Sequence, residues 1–261
     1  MKLTFATVLK RILTTLSQKW PQYLLEIIVI TLGILGAYLL DNWNDNRLEN
    51  KVETRYLKSL HQDLVKDVES LTFMQSIREK ASKSALKLLK TKSIGGSFDE
   101  QLQFEKDLVD VLFWYEFTPN DNTFKELTSS GNLSIIDNEK IKSGLLNLEA
   151  LNNEIVLSRN HMKREFDIYL YDEFVHFDEF PLLDYDHIVK TREYNWVDDA
   201  DPLTLKKISE ESNLLIAHQT IRNGFKLAIL NNAYLVYLYL KMLVQNKALQ
   251  NEIKDELSAG R

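Results

Sequence analysis

Histidine and carboxylate side chains are the residues of this sequence that could bind a metal ion or transfer protons. None of the five histidines stands in H-E-x-x-H or a similar metal-binding spacing. They are His61, His161, His176, His187 and His218. The segment that comes nearest to a cluster of metal ligands is YDEFVHFDEF, which holds His176 with Asp172, Glu173, Asp178 and Glu179. Oxygen and imidazole ligands suit a divalent cation, but this segment matches no calcium-binding loop. A solvated acidic loop is therefore the favoured interpretation, and the same holds for Asp198, Asp199 and Asp201.

Nucleophiles and phosphate-binding loops give no enzymatic signature either. The chain has no cysteine, which excludes thiol catalysis and cysteine-ligated zinc. No G-x-S-x-G, P-loop or G-x-G-x-x-G motif occurs, and the serines at 129–130 are better explained as a helix end. Residues 120–122 similarly fit the first turn of a helix. We therefore expect a protein that is not an enzyme, with no catalytic residue, no metal site and no cofactor.

The element that most constrains function is a continuous apolar run at residues 24–40, LLEIIVITLGILGAYLL. As a helix that rises ~1.5 Å per residue, the run spans roughly 26 Å, close to the hydrocarbon thickness of a bilayer. Trp20 and Tyr23 precede it and Trp43 follows it, as expected of aromatic anchors at the two membrane interfaces. No cleavage-site pattern follows, so the sequence predicts an uncleaved membrane helix at 22–43.

The charges beside this helix predict its orientation. Basic residues without any acid precede it, whereas acids and bases are mixed at 41–55. The preceding bases are Lys2, Lys10, Arg11 and Lys19. The positive-inside rule then predicts a single-pass protein with a cytoplasmic amino terminus, and in a bacterium this means the inner membrane with the domain at 44–261 in the periplasm. Residues 1–21 predict a short amphipathic helix on the cytoplasmic leaflet that ends at Pro21, the alternative being a disordered basic tail.

One face of the membrane helix suits contact with a second helix. It consists of Glu26, Ile30, Gly33, Ala37 and Asp41, at steps of four, three, four and four. Gly33 and Ala37 form a small-xxx-small pair that lets another helix approach closely. Besides the lipid bilayer, we therefore expect this face to contact a second copy of the chain or another membrane protein. The alternative is that the Glu26 carboxylate reaches the interface near Lys19 and the small residues are incidental.

Beyond residue 44, scarce glycine and proline and long apolar stripes at helical spacing predict an all-α antiparallel bundle. One stripe predicts that the membrane helix continues without a break to about residue 92: Leu48, Val52, Tyr56, Leu60, Leu64, Val68 and Leu71. Further helices are expected at about 98–117, from Pro119 to Ser130 with Thr118 as N-cap, at 138–174 capped by Asp137, from Pro202, and at 212–257.

A second apolar segment, residues 225–244, is also long enough to cross a membrane. Lys226, Asn231, Asn232 and Lys241 lie within it. Each costs free energy in hydrocarbon, so a central bundle helix is favoured over a second span. After residue 47 the chain holds 27 basic and 35 acidic residues, a formal charge of −8. That excess of acid argues against a nucleic-acid partner.

Three stretches give the chain a resemblance to a known family. They are LLEIIVITLGILGAYLLDNWNDNR at 24–47, YLKSLHQDLVKDV at 56–68 and NDNTFKELTSSGNLSIIDNEKIKSGL at 120–145. The chain resembles a family of uncharacterised bacterial single-pass membrane proteins, whose members show an early Glu in the anchor and an Asn-Trp-Asn exit into a charged helix. The resemblance implies a membrane-anchored, helical extracytoplasmic protein. It transfers no catalytic residue.

Three functions follow from these patterns as hypotheses. The first is a non-enzymatic interaction or sensing module, in which a signal passes to a membrane partner because the roughly 20 residues before the span leave no room for an output domain. The second is a structural envelope scaffold, and the third is an anchored hydrolase that uses the acidic loop. A pocket between helices would favour sensing, an exposed apolar patch a scaffold, and converging carboxylates in a cleft a hydrolase.

Overall fold

The computed structural model of the chain describes residues 5–176, 185–191 and 202–259. Within these residues the protein is all-α and contains no β-strand, as the sequence predicts. The chain divides into two compact units, Met1–Arg55 and Tyr56–Gly260. Helix α1, Phe5–Lys90, contributes residues to both.

In the first unit, α1 contradicts the expectation that the leader helix ends at Pro21. The helix begins at Phe5 and continues through the proline. Proline removes one backbone hydrogen bond and strains the preceding turn. Helix formation is cooperative, so helix-forming residues on both sides hold the helical path across one missing bond. The apolar run at 24–40 lies on this helix. The most apolar stretch of eighteen residues in the helix contains no buried residue.

In the second unit, α1 buries the predicted apolar stripe from Tyr56 onward. Tyr56, Leu60, Leu64 and Leu71 are all buried. Leu48, which belongs to the same stripe, is instead 51% exposed, so burial of the stripe starts two turns later than predicted. The helix ends at Lys90, close to the predicted residue 92.

Further helices follow α1, and the longest of them are α4 and α8. In chain order they are α2 (Phe98–Leu112), α3 (Asn122–Ser129), a 3-10 turn (Asn132–Ile135), α4 (Glu139–Phe166), a π-helical turn (Asp167–Tyr171), α5 (Asp172–Phe174), α6 (Tyr185–Thr191), α7 (Pro202–Ala217) and α8 (Gln219–Ser258). Helix α4 packs along α8 and supplies much of the core. Its buried residues are Ile141, Leu145, Leu148, Leu151, Ile155 and Met162, the set that the sequence predicts.

Helix α8 supplies one buried side to this bundle and is also long and apolar enough to cross a membrane, so the core role favoured for residues 225–244 stays a prediction. Phe225, Leu235, Leu238 and Tyr239 are fully buried. The most apolar window of the helix is 39% buried. Other side chains of the helix are exposed, including Leu230 and Val244.

Several helix ends differ from the sequence predictions because tertiary contacts decide them. Helix α2 ends at Leu112 rather than at 117. Phe117 is instead buried and packs near Tyr239, with 6.1 Å between the ring centroids. Helix α3 starts after Asp121, so Thr118 is not its N-cap. Asn138 rather than Asp137 caps α4, and its side chain accepts hydrogen bonds from two backbone N–H groups of the first turn.

The expected helix at 212–257 is in fact two helices, and it breaks at His218. The backbone of His218 is extended, with φ −68° and ψ 119°. The Arg222 guanidinium donates to the Ile216 carbonyl at 3.0 Å and to the Leu89 carbonyl at 3.0 Å. The guanidinium therefore provides a hydrogen-bond donor for a carbonyl group in the last turn of α7, and it links the break between α7 and α8 to α1. Helix α7 itself starts at Pro202, as predicted.

Gly224 allows α8 to approach the π-helical turn closely. A Cβ atom at this position would lie 2.6 Å from the Tyr169 carbonyl oxygen and 2.6 Å from a methyl carbon of Leu170. Any larger residue would overlap backbone, which cannot move aside cheaply. This glycine therefore sets the distance between α8 and the turn.

Candidate functional site

A cavity of about 100 Å³ lies between α1, α3, α4 and α8 in the unit Tyr56–Gly260. Its apolar lining consists of buried side chains: Leu60, Leu64, Phe124, Leu145, Leu148 and Met242. These residues come from four different helices, so the cavity depends on the packing of the whole bundle. A mostly apolar cavity with a few polar groups is the usual form of a small-molecule site.

The polar lining of the cavity is mainly acidic. Its ionisable residues are Asp63, Asp67, Asp121, Lys125 and Glu149. The Lys125 ammonium pairs with the Asp121 carboxylate at 2.9 Å, one helical turn apart. The other three carboxylates have no cationic partner within ion-pair distance among the described residues. The cavity therefore carries a negative field.

Asp67 is the most buried of these carboxylates, with 5% of its surface exposed. Its Oδ1 accepts hydrogen bonds from the Asn120 backbone N–H at 2.7 Å and from Asn120 Nδ2 at 2.8 Å. Burial nevertheless raises the pKa of Asp67 above its ordinary value, and the nearby carboxylates of Asp63 and Asp121 add to that rise. Within the described part of the chain, no donor reaches the Oδ2 atom.

Two neighbouring groups complete the polar lining. Asp63 Oδ2 accepts from the Thr123 hydroxyl at 2.5 Å, which ties α1 to the first turn of α3. Asn152 Oδ1 is buried, and no described residue donates a hydrogen bond to it. A buried amide oxygen without a donor costs free energy, so this atom favours a ligand or water that can donate.

A second polar centre is the buried arginine Arg78, of which 3% is exposed. Its guanidinium donates to Asn232 Oδ1 at 3.1 Å and to the Tyr115 carbonyl, and it stacks on the Trp114 ring at 4.6 Å. Desolvation lowers the pKa of Arg78, while the Tyr239 hydroxyl beside it partly offsets that shift. The side chain therefore joins α1, the segment after α2, and α8 through one buried cation.

Glu105 on α2 is a third buried ionisable group, 7% exposed. Desolvation raises its pKa to about 7. No hydrogen-bond donor for its carboxylate is found in residues 5–176, 185–191 or 202–259. It lies outside the cavity lining, so we treat it as a determinant of stability.

The structure places the predicted membrane-helix residues on an exposed surface. The whole face formed by Glu26, Ile30, Gly33, Ala37 and Asp41 is exposed, and a Cβ at Gly33 would meet no atom within 4 Å. The predicted interface anchors Trp20, Tyr23 and Trp43 are exposed as well. The Arg47 guanidinium lies 5.7 Å from the Trp43 ring centroid. Contacts with a second helix or with lipid stay a prediction.

The histidines and the acidic loop do not form a metal centre in the described part of the chain. There, no group of three or more His, Asp or Glu side chains is placed to hold a metal ion. His176 is exposed at the end of the described segment 5–176. Asp178, Glu179, Asp198, Asp199 and Asp201, which belong to the acidic-loop hypothesis, lie outside the described residues.

The cavity residues were not identified from the sequence, although one signal for them exists. Asp63 and Asp67 stand one turn apart on α1, between the buried Leu60, Leu64 and Leu71. Like charges at this spacing repel and destabilise a helix, which is a reason to look for a role. The sequence places Asn120 in the first turn of a helix. In the structure it precedes α3, and its backbone N–H donates a hydrogen bond to Asp67.

Comparison with known proteins adds no relative, since no family model, curated protein or solved structure matches the chain.

Proposed function

We propose that the protein is a non-enzymatic sensing or interaction module, anchored to the bacterial inner membrane by a single helix at 22–43. Its amino terminus lies in the cytoplasm and its bundle in the periplasm. The observation that carries the proposal is the unburied apolar run at 24–40. Transfer of each large apolar side chain from water to an apolar environment is favourable by roughly 1.5–3 kcal/mol, so this run is more stable in lipid than in water.

A single span is favoured because the other apolar helix, α8, is already used by the bundle. Helix α8 packs against α4, and its Phe225, Leu235 and Tyr239 side chains are buried in the bundle. Lys226 and Lys241 lie on its exposed side, where the centre of a bilayer would desolvate their charges. The unit Tyr56–Gly260 thus belongs in water.

Sensing is favoured over catalysis by the way the cavity is built. Its carboxylates are tied to neighbouring elements, Asp63 to Thr123 and Asp67 to Asn120, and four helices meet at it. A ligand that binds here contacts several elements at once, so it favours one packing of the bundle over others. A coupled change in partner binding is the simplest output of such a module.

The output passes through the membrane-helix face that contains Glu26, Gly33 and Ala37. Small residues let a partner helix approach closely, and a carboxyl group inside the span is best satisfied by a partner. The face is exposed in the single chain, so it is available for a partner helix.

Crosslinking in native membranes with Gly33→Ile tests this function. We expect wild type to capture one membrane partner, or a second copy of itself, and Gly33→Ile to reduce that capture at least tenfold, because the isoleucine prevents close helix approach. The matched control is Leu35→Phe, which adds bulk on the opposite side of the same helix and should leave capture unchanged. Equal recovery with all three chains would show that the helix only tethers.

A structural scaffold is the second candidate, and one observation favours it. Exposed apolar and aromatic side chains follow one side of α8: Leu230, Tyr234, Tyr237, Leu240 and Val244. Contiguous exposed apolar surface often marks a protein contact. If the protein is a scaffold without a sensing role, we expect small molecules to leave its melting temperature unchanged.

A further inference from the structure

The cavity between α1, α3, α4 and α8 restricts the size of what it can hold. It offers about 100 Å³, lined by leucine, phenylalanine and methionine side chains. A dry protein cavity of ~150 Å³ holds a molecule the size of benzene, so this one suits a compact aliphatic body or part of a ring. A long chain or a sugar exceeds the space.

The charges around the cavity restrict the ligand further. Four carboxylates line it against one ammonium, Lys125, which Asp121 already neutralises. An anion would be repelled. A metal ion would need about six oxygen ligands and would gain nothing from the apolar lining. In the described residues no three acidic or histidine side chains are placed to hold one.

The unfilled hydrogen-bond acceptors at the cavity favour a ligand that donates hydrogen bonds. Asp67 and Asn152 both line the cavity, and no described residue donates a hydrogen bond to Asp67 Oδ2 or to Asn152 Oδ1. An organic ammonium supplies three N–H donors, a positive charge and no acceptor. Charge-assisted bonds of this kind are about twice as strong as neutral ones.

We propose that this cavity binds a small primary organic ammonium whose compact apolar body lies among Leu60, Leu148 and Met242 and whose cation contacts Asp67 and Asn152. The inference names the ligand class of the sensing role proposed above and rests on it. The bound cation also relieves the mutual repulsion of Asp63, Asp67 and Asp121. Binding therefore stabilises the contact between α1 and the segment that precedes α3.

A matched series of three probes tests the chemistry on the full chain in lipid nanodiscs. The probes are isobutylamine, which is a cation at neutral pH, the neutral isobutanol and the anionic isobutyrate, all with a compact aliphatic body. We expect isobutylamine to raise the melting temperature in a concentration-dependent way and to bind at least tenfold more tightly than the other two in calorimetric titration. Equal binding of isobutanol, or tighter binding of isobutyrate, would overturn the proposal.

The substitution Asp67→Asn locates the site. The amide oxygen still accepts from Asn120, while the charge that attracts the ammonium is lost, so we expect isobutylamine affinity to fall at least tenfold. Glu69→Gln is the control, because it removes the same charge from an exposed side chain on the same helix outside the cavity. Unchanged affinity in Asp67→Asn contradicts the proposal. The three-probe series on wild type decides the question if Asp67→Asn does not fold.

The outcomes separate this inference from the proposed function. If Gly33→Ile abolishes partner capture but isobutylamine does not bind, the proposed interaction role is supported and the ligand assignment is wrong. If isobutylamine binds through Asp67 but Gly33→Ile leaves capture unchanged, the ligand assignment is supported and output through the membrane helix is wrong.

Discussion

Replacing Arg78 with methionine is expected to lower the free energy of unfolding by about 3–5 kcal/mol. Stability falls because Asn232 Oδ1 and the Tyr115 carbonyl lose their hydrogen-bond donor inside the core. The Trp114 ring also loses the cation stacked on it. Chemical denaturation of the full chain in detergent, followed by tryptophan fluorescence, measures the change.

The control for this experiment is Lys83→Met, which removes a charge from an exposed position on the same helix. It should change stability by less than about 0.5 kcal/mol. Arg78→Lys should fall between the two, because lysine keeps the charge but cannot form the planar fork of a guanidinium. A loss below about 1 kcal/mol in Arg78→Met would show that the buried cation does not hold α1 and α8 together.

Replacing Glu105 with glutamine is expected to stabilise the protein at alkaline pH and leave it unchanged in acid. Burial raises the pKa of Glu105 to about 7 from 4.5. Between these two values the folded chain holds a proton that the unfolded chain has released, so stability falls as pH rises. Above pH 7 the full penalty of about 3 kcal/mol is present, and glutamine removes it.

Denaturation curves at pH 4, 6 and 8 measure this effect as the difference between the variant and wild type. We expect no difference at pH 4, a partial gain at pH 6 and a gain approaching about 3 kcal/mol at pH 8. Glu69→Gln, at an exposed position of α1, should follow wild type at every pH. A constant offset between Glu105→Gln and wild type across the range would contradict the assignment.

The sequence predicted those parts of the fold that local patterns determine. The buried face of α4, from Ile141 to Met162, follows directly from apolar residues at steps of three and four. The start of α7 at Pro202 follows from the preference of proline for the first turn of a helix. Both features depend on residues within a few turns of one another.

Features that depend on distant contacts were not predictable in this way. The aromatic residues at 113–117 fit a helical pattern, yet two of them contact distant residues. Trp114 stacks on Arg78 of α1, and Phe117 packs near Tyr239, which lies more than a hundred residues further along the chain. The break at His218 likewise depends on Arg222 reaching the Leu89 carbonyl of α1. No local rule forces either end.

The cavity illustrates the same limit for the candidate site. Asp63 and Asp67 mark one of its sides in the sequence, but their partners Thr123 and Asn120 lie more than fifty residues further along the chain. Asn152 and Met242 join the lining only because α4 and α8 pack against α1 and α3. The proposed membrane helix is the opposite case, since its apolar length and aromatic flanks can be recognised in the sequence without any tertiary contact.

The most direct test of the membrane-anchored arrangement is cysteine labelling, for which this cysteine-free chain needs no background removal. Single substitutions Thr14→Cys, Leu32→Cys and Ser129→Cys would be expressed in bacteria and exposed to a membrane-impermeant maleimide in intact spheroplasts. We expect Ser129→Cys to react at once, Thr14→Cys only after lysis, and Leu32→Cys only after detergent is added. Labelling of Thr14→Cys with protection of Ser129→Cys would contradict the orientation, and rapid labelling of Leu32→Cys in native membranes would contradict the span itself.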